Sequence, residues 1–203
     1  MENYFVCRGK KYELTEVQAD GLVKRITPAQ IQLEEAALGM PVTIGWYEFV
    51  VLEQFEDSAA VILKDLLDKD ILFGKNNCYD GSDADKACKA FAEEIAGIVG
   101  AEKLVAHTVD LTSDDGLKDY GSIQRRASLL TADLYRKYVE ILDLHKVDRW
   151  WWLATPHSTK RHENDLWVKC VSPSGFLLDF NYDDDGNGVR PFCILKSDIF
   201  VSK

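Results

Sequence analysis

The chain has 203 residues, with 24 basic and 34 acidic side chains and a formal net charge of −10. At 46% hydrophobic residues it carries enough apolar material for one packed domain, or one domain with an appendage. A surface this acidic repels phosphate backbones and anionic lipid within a Debye length, about 8–10 Å, which excludes direct nucleic-acid binding as the expected role.

No stretch reaches the roughly 20 apolar residues that span a bilayer. Residues 1–8 lack the basic start and apolar run of a secretory signal. The five cysteines, Cys7, Cys78, Cys88, Cys170 and Cys193, form no C-x-x-C pair. An odd count without a signal is expected of reduced thiols, so the reading is a cytoplasmic protein without a membrane partner.

Tyr4-Phe5-Val6 and Lys11-Tyr12-Glu13-Leu14 flank Arg8-Gly9-Lys10 in the pattern of a short hairpin. Thr15-Glu16 opens a helical spacing through Val17, Leu22, Val23 and Ile26. Thr27 as N-cap and Pro28 at the first helical position predict a second helix carrying Ile31, Leu33, Ala36 and Ala37, ended by Gly39. Residues 1–40 therefore read as a hairpin and helical appendage, and residues 41–203 as the main domain.

From Pro41 the apolar period becomes two. Val42-Thr43-Ile44, the run from Trp46 to Leu52 and the run from Ala59 to Leu63 predict an antiparallel meander. Residues 82–99 predict an amphipathic helix with Ala84, Ala87, Cys88, Phe91, Ile95 and Ala96 on one stripe. Residues 110–121 form an acidic loop. Thr131 caps a predicted helix running to Leu144, with Leu134, Tyr138 and Ile141 inward. The remainder is short strands and turns. The fold class is α+β, with short antiparallel strands and two main helices.

Trp150-Trp151-Trp152-Leu153-Ala154-Thr155-Pro156 reads as a strand, with Trp150 and Trp152 on one face and Trp151 on the other. Two readings stay open for it. Either the rings are core, with Trp150 and Trp152 structural, or Trp151 offers a stacking platform to a sugar or peptide. The polar run that follows supplies the binding candidates His157, Lys160, Arg161, His162 and Asn164, because function concentrates on loops held by rigid scaffolds. A plain solvated connection is the alternative.

His157 and His162 with Cys170 or Cys193 are zinc-ligand types, but their spacing matches no zinc signature. Asn181-Tyr182-Asp183-Asp184-Asp185-Gly186 starts as a calcium loop does, yet Phe192 stands where the closing glutamate is required. The Asp-Gly and Asn-Gly pairs fit a hairpin turn more simply. Asp183 and Asp185 stay as ligand-binding candidates. No cofactor is expected, with calcium at Asn181, Asp183 and Asp185 as the lesser alternative. There is no G-x-S-x-G, H-E-x-x-H, phosphate-binding glycine loop or dinucleotide fingerprint. Cys170 and Cys193 have no evident histidine and acid partners, so no catalytic residue is assigned.

Several of these elements stand in a recognisable order. The Trp150–Pro156 run, the segment Val168-Lys169-Cys170-Val171-Ser172-Pro173-Ser174-Gly175 and Gly188-Val189-Arg190-Pro191-Phe192 resemble the DUF6273 family, whose elements read W-W-L-R-S-P-G, D-G and G-V-R-P-A. The likeness extends over about residues 41–201, including Gly45 to Leu52, His107 to Thr112 and Leu129 to Tyr138. It implies a C-type-lectin-like fold that displays ligand-binding side chains between the Trp strand and the G-V-R-P strand. Family members are common in gut Firmicutes and their phages and mobile elements. Ala154 stands where the family has arginine, which removes whatever that arginine does. Arg190 reads as structural, bonded to backbone carbonyls or carboxylates and stacked on a tryptophan.

Three functions follow as expectations. The first is a non-catalytic module binding a protein or glycan through the loops between those two strands. The second is an acidic antagonist from a phage or mobile element, an anti-CRISPR-like inhibitor seated on the basic channel of a host defence nuclease. The third is an enzyme using cysteine chemistry.

Overall fold

The computed structural model describes residues 4–7, 10–13, 30–67 and 71–202. In chain order, β1 (Tyr4–Cys7) and β2 (Lys10–Glu13) form an antiparallel hairpin with Tyr4 opposite Glu13. β3 (Gln30–Gln32), β4 (Pro41–Ile44), β5 (Tyr47–Gln54) and β6 (Ser58–Leu63) follow. Then come α1 (Asp83–Val99), β7 (Leu104–Val105), β8 (His107–Asp110), β9 (Ser122–Arg125) and β10 (Ala127–Ser128). α2 (Ala132–Lys137) and α3 (Val139–Leu144) precede β11 (Trp150–Pro156), β12 (Trp167–Val171), β13 (Leu177–Asn181), β14 (Asn187–Gly188), β15 (Phe192–Lys196) and β16 (Phe200–Ser202).

The protein is a mixed α+β fold built on two sheets. The larger runs β10-β15-β6-β5-β4-β16-β3, with β7 also on β15, and every pairing is antiparallel. The smaller runs β13-β12-β11-β14, and its β11–β14 contact is parallel. β8 and β9 form a separate hairpin around the acidic loop.

Two helix expectations change. The predicted helix over residues 15–26 lies outside the described residues. Of the helix expected from Thr27 onward, residues 27–29 lie outside the described residues, and residues 30–35 form instead the strand β3 and one 3-10 turn, Leu33–Glu35. Pairing decides this: Ile31 sits opposite Val201 of β16, a partner no local propensity can register. Leu33 and Ala36 are buried in the sheet's core, so residues 30–40 pack as part of the body expected to start at residue 41. The single helix expected from Thr131 to Leu144 is two, broken at Tyr138 (φ −105°, ψ 11°). The buried Tyr138 hydroxyl donates to Glu53 there. Three α-helices are thus present among the described residues, rather than two.

The meander and α1 follow their sequence periods. Ser82 caps α1, its Oγ accepting the Asp85 N–H at 3.0 Å. One face of the large sheet buries Phe49, Val51 and Val61 against Phe91 and Ile95 of α1. The other face presents Val50, Leu52 and Ile62 to Tyr135, Leu142 and Trp151. A third core joins Trp152, Val168 and Cys170 of the small sheet to Phe73, Tyr79 and Val189. Strand alternation along β11 thereby sends Trp151 into one core and Trp152 into another.

Candidate functional site

The Trp strand is a wall rather than a platform. Trp151, a ligand-binding candidate from the sequence, is 2% exposed and packs edge-on to Tyr135 at 5.8 Å. No ligand reaches its face. Trp152 is fully buried, and its indole N–H donates to the Ile71 carbonyl at 2.9 Å. Trp150 is half-buried against Phe180, with ring centroids 4.8 Å apart. Arg190 is 1% exposed, donating from Nε to the Leu63 carbonyl and from Nη2 to the carbonyls of Lys64 and His145. Burial draws its pKa down to about 10, so it stays charged at neutral pH.

After β11 the chain enters the polar run. Residues Lys160–His162 form a single 3-10 turn, and the Thr159 hydroxyl accepts the Arg161 N–H at 3.3 Å. Glu163 closes it at φ +53°, a left-handed conformation that no other non-glycine adopts among the described residues. Lys160, Arg161 and His162 are exposed, while His157 and Asn164 are half-buried.

What holds this loop is the acidic loop between β8 and β9. Asp115 accepts hydrogen bonds from the Ser158 hydroxyl at 2.6 Å and from Ser113, and lies 3.0 Å from His162 Nδ1. Asp119 accepts from the Thr159 hydroxyl at 2.6 Å and pairs with Arg161. The Ser113 hydroxyl first, and that of Ser158 next, hold the Asp115 carboxyl well below the usual carboxylate range. From below, Asn77 donates to the Ser158 and Trp167 carbonyls and accepts from the Tyr120 hydroxyl.

A mixed-charge cluster borders the two loops. The mostly buried Lys169 ammonium lies 2.8 Å from Asp114 and 3.1 Å from Asp179. Arg136 also reaches Asp114, and His157 Nδ1 lies 3.2 Å from Asp179. The two loops are thus tied together at two carboxylates, Asp115 and Asp119, with Asp114 and Asp179 at their border. The sequence showed the acidic loop and the basic pair, but nothing in either segment announced that they meet.

The Asn181–Gly186 turn stands beside this loop, since the Tyr182 N–H donates to the Leu166 carbonyl. Asp183 and Asp185 are exposed, and Asp184 folds back to accept the Asn181 N–H at 3.0 Å. No group of three or more His, Cys, Asp or Glu that could hold a metal ion occurs among the described residues. Cys170 and Cys193 are fully buried, and burial raises both thiols, that of Cys170 to about 12. Neither presents a thiolate near neutral pH.

Two concavities lie on other elements. A cleft of about 550 Å³ is lined by Trp46, Tyr47 and Glu48, the stretch from Leu63 to Leu67, and Lys146, Val147 and Asp148. A groove of about 500 Å³ gathers Glu34, Glu56, Asp57, Glu102 and Asp198 with Lys103 and Lys196. The sequence places Trp46 at the head of the strand predicted to run to Leu52, and nothing in that pattern marks a cleft. No helix among the described residues is long and apolar enough to cross a membrane.

Compared with known family models, curated proteins and solved structures, the chain matches none.

Proposed function

We propose that this chain is a non-catalytic binding module for a protein partner, built on a C-type-lectin-like scaffold of the DUF6273 type. Its contact surface is the 157–165 loop, with Lys160, Arg161, His162 and Asn164, flanked by Asp183 and Asp185. The carrying observation is the bracing of that loop: Asp115 and Asp119 each hold two of its side chains. A loop ordered before it meets its ligand avoids much of the entropy cost of binding. A glycan is the alternative ligand for the same surface. Cysteine chemistry is not carried further, because Cys170 and Cys193 offer no accessible thiolate.

The test is a triple variant, K160A/R161A/H162A, assayed against partners that the wild-type chain retains from a host lysate. Affinity should fall by at least about tenfold if these side chains form the contact. Full affinity in the triple variant would refute the site.

The acidic-antagonist reading is favoured by one observation, the groove in which Glu34, Glu56 and Glu102 make no ion pair among the described residues. Its two lysines are already matched, Lys103 to Asp198 and Lys196 to Asp57. A basic nuclease channel would suit that face. Such binding should weaken steeply between low and high salt, and a salt-independent affinity excludes it.

A further inference from the structure

Trp46 is the most exposed tryptophan among the described residues, at 65%. It stands at the tip of the β4–β5 hairpin, where Gly45 at φ +61° takes the first place of a two-residue turn. An indole left in solvent on a tight turn forgoes the free energy that burial would return, and its apolar surface stays open to a partner. It also forms one lip of the cleft of about 550 Å³, a size suited to a small ligand or a few residues of a peptide.

The charges in that cleft are unequally matched. Lys64 pairs with Glu48 at 3.0 Å, and Lys146 is taken by Asp143 at 2.6 Å. Asp65 accepts the Leu66 N–H at 2.7 Å, and neither it nor Asp148 makes an ion pair among the described residues. The buried Arg190 feels the charge of Asp65, but its Nε and Nη2 hydrogens are directed at the carbonyls of Leu63, Lys64 and His145. The cleft's lysines are thus engaged and the Arg149 guanidinium at its edge donates to the Leu67 carbonyl, which leaves Asp65 and Asp148 outside any ion pair among the described residues, in a cleft that Trp46 also lines.

We infer that this cleft receives an arginine side chain from a basic segment of a partner protein. The guanidinium stacks on the Trp46 ring and pairs with Asp65 and Asp148. Arginine suits the site better than lysine, because its planar fork can stack and hydrogen-bond to carboxylates together. A sugar could stack on Trp46 but brings no charge to either carboxylate. A phosphate-bearing ligand is repelled by both. The net charge of −10 raises the local concentration of cationic segments at this surface. This site uses the β4–β5 turn, the end of β6 and residues 146–148, so it is separate from the 157–165 loop.

The probe is a capped Gly-Arg-Gly-Arg-Gly peptide, titrated into the isotope-labelled full chain while the Trp46 indole N–H resonance is followed. Three controls accompany it: the same peptide with citrulline, the same with lysine, and maltose. The arginine peptide should shift the Trp46 resonance saturably, with the lysine peptide about fivefold weaker. The citrulline peptide and maltose should leave it in place.

D65N and D148N are near-isosteric surface changes, and each should weaken binding about three- to tenfold. W46A, read by calorimetry, should weaken it about tenfold, while W46F, which keeps a ring, should lose less. K160A/R161A/H162A should bind the peptide as the wild type does, so this site and the loop stand or fall separately. Any of four results overturns the inference: no saturable shift, equal binding of the citrulline peptide, a response to maltose instead, or wild-type affinity in both carboxamide variants.

Discussion

The Arg190 guanidinium stands over the Trp151 ring, 5.2 Å from its centre, while its hydrogens close on three backbone carbonyls. The carbonyls belong to Leu63 at the end of β6, to Lys64, and to His145 just after α3. One side chain therefore fastens the large sheet, the helix pair and the Trp strand to each other. Arg190→Lys cannot reproduce the fork and should cost about 2–4 kcal/mol of stability. Arg190→Ala leaves the carbonyls unsatisfied and opens a cavity, for about 3–5 kcal/mol. Urea unfolding of both variants checks this, and a loss below about 0.5 kcal/mol in either removes Arg190 from the framework.

His107 gives a pH signature. Its Nε2 lies 2.9 Å from the Ser128 hydroxyl, its Nδ1 has no hydrogen-bond partner, and the ring packs edge-on to Phe192. Burial, only partly offset by the Val105 backbone, draws its pKa down from 6.5 to about 4. The folded state thus binds this proton less readily than the unfolded chain does. Stability is full above about pH 6.5 and falls as pH drops towards 4, by roughly 3 kcal/mol in all. Denaturant titrations across this range should show that slope, and His107→Gln should flatten it. A wild-type curve flat from pH 7 to 4.5 would contradict a buried neutral imidazole.

How much of this was legible follows from the range of each interaction. The alternation of Trp150, Trp151 and Trp152 and the apolar stripe on α1 are local patterns, and they appear in the fold where the sequence places them. Residues 30–36 were misread because their helical spacing is local, whereas the β16 strand that claims them lies about 170 residues away. The candidate loop was legible as a loop and illegible as a braced one. Asp115 and Asp119 look like any solvated acids until the fold sets them against Ser158, Thr159, Arg161 and His162. Trp151 looked available because a strand pattern reveals alternation and not what covers each face. The reverse holds for Trp46, which reads as the head of a strand and stands exposed at the hairpin tip.

Thiol chemistry separates the cysteines by burial. Cys88, Cys170 and Cys193 are fully enclosed, and Cys78 is half-buried with its thiol also raised by burial. In a Cys7→Ser background, a thiol-specific aromatic disulfide should label Cys78 alone in the native state. Labelling should be slow at pH 7 and speed up towards pH 9 as the thiolate forms. The other three should react only after denaturation. Rapid native labelling of Cys170 or Cys193 would reopen the cysteine-enzyme reading.

The bracing of the candidate loop is open to a direct measurement. Asp115→Asn keeps the shape of the side chain but removes the charge that faces His162 and the oxygen that receives Ser158 or Ser113. Amide hydrogen exchange over residues 157–164 should then accelerate by about tenfold, with β11 unchanged. Asp119→Asn removes the charge facing Arg161 and should loosen the same amides from the other end of the turn. Because both carboxylates hold one short loop, the double variant should exceed the sum of the two singles, as residues sharing a network do. If partner affinity falls in step with this loosening while Lys160, Arg161 and His162 stay intact, the acidic loop acts through order rather than contact. Unchanged exchange in the double variant would mean that Asn77 and the strand ends hold the loop by themselves.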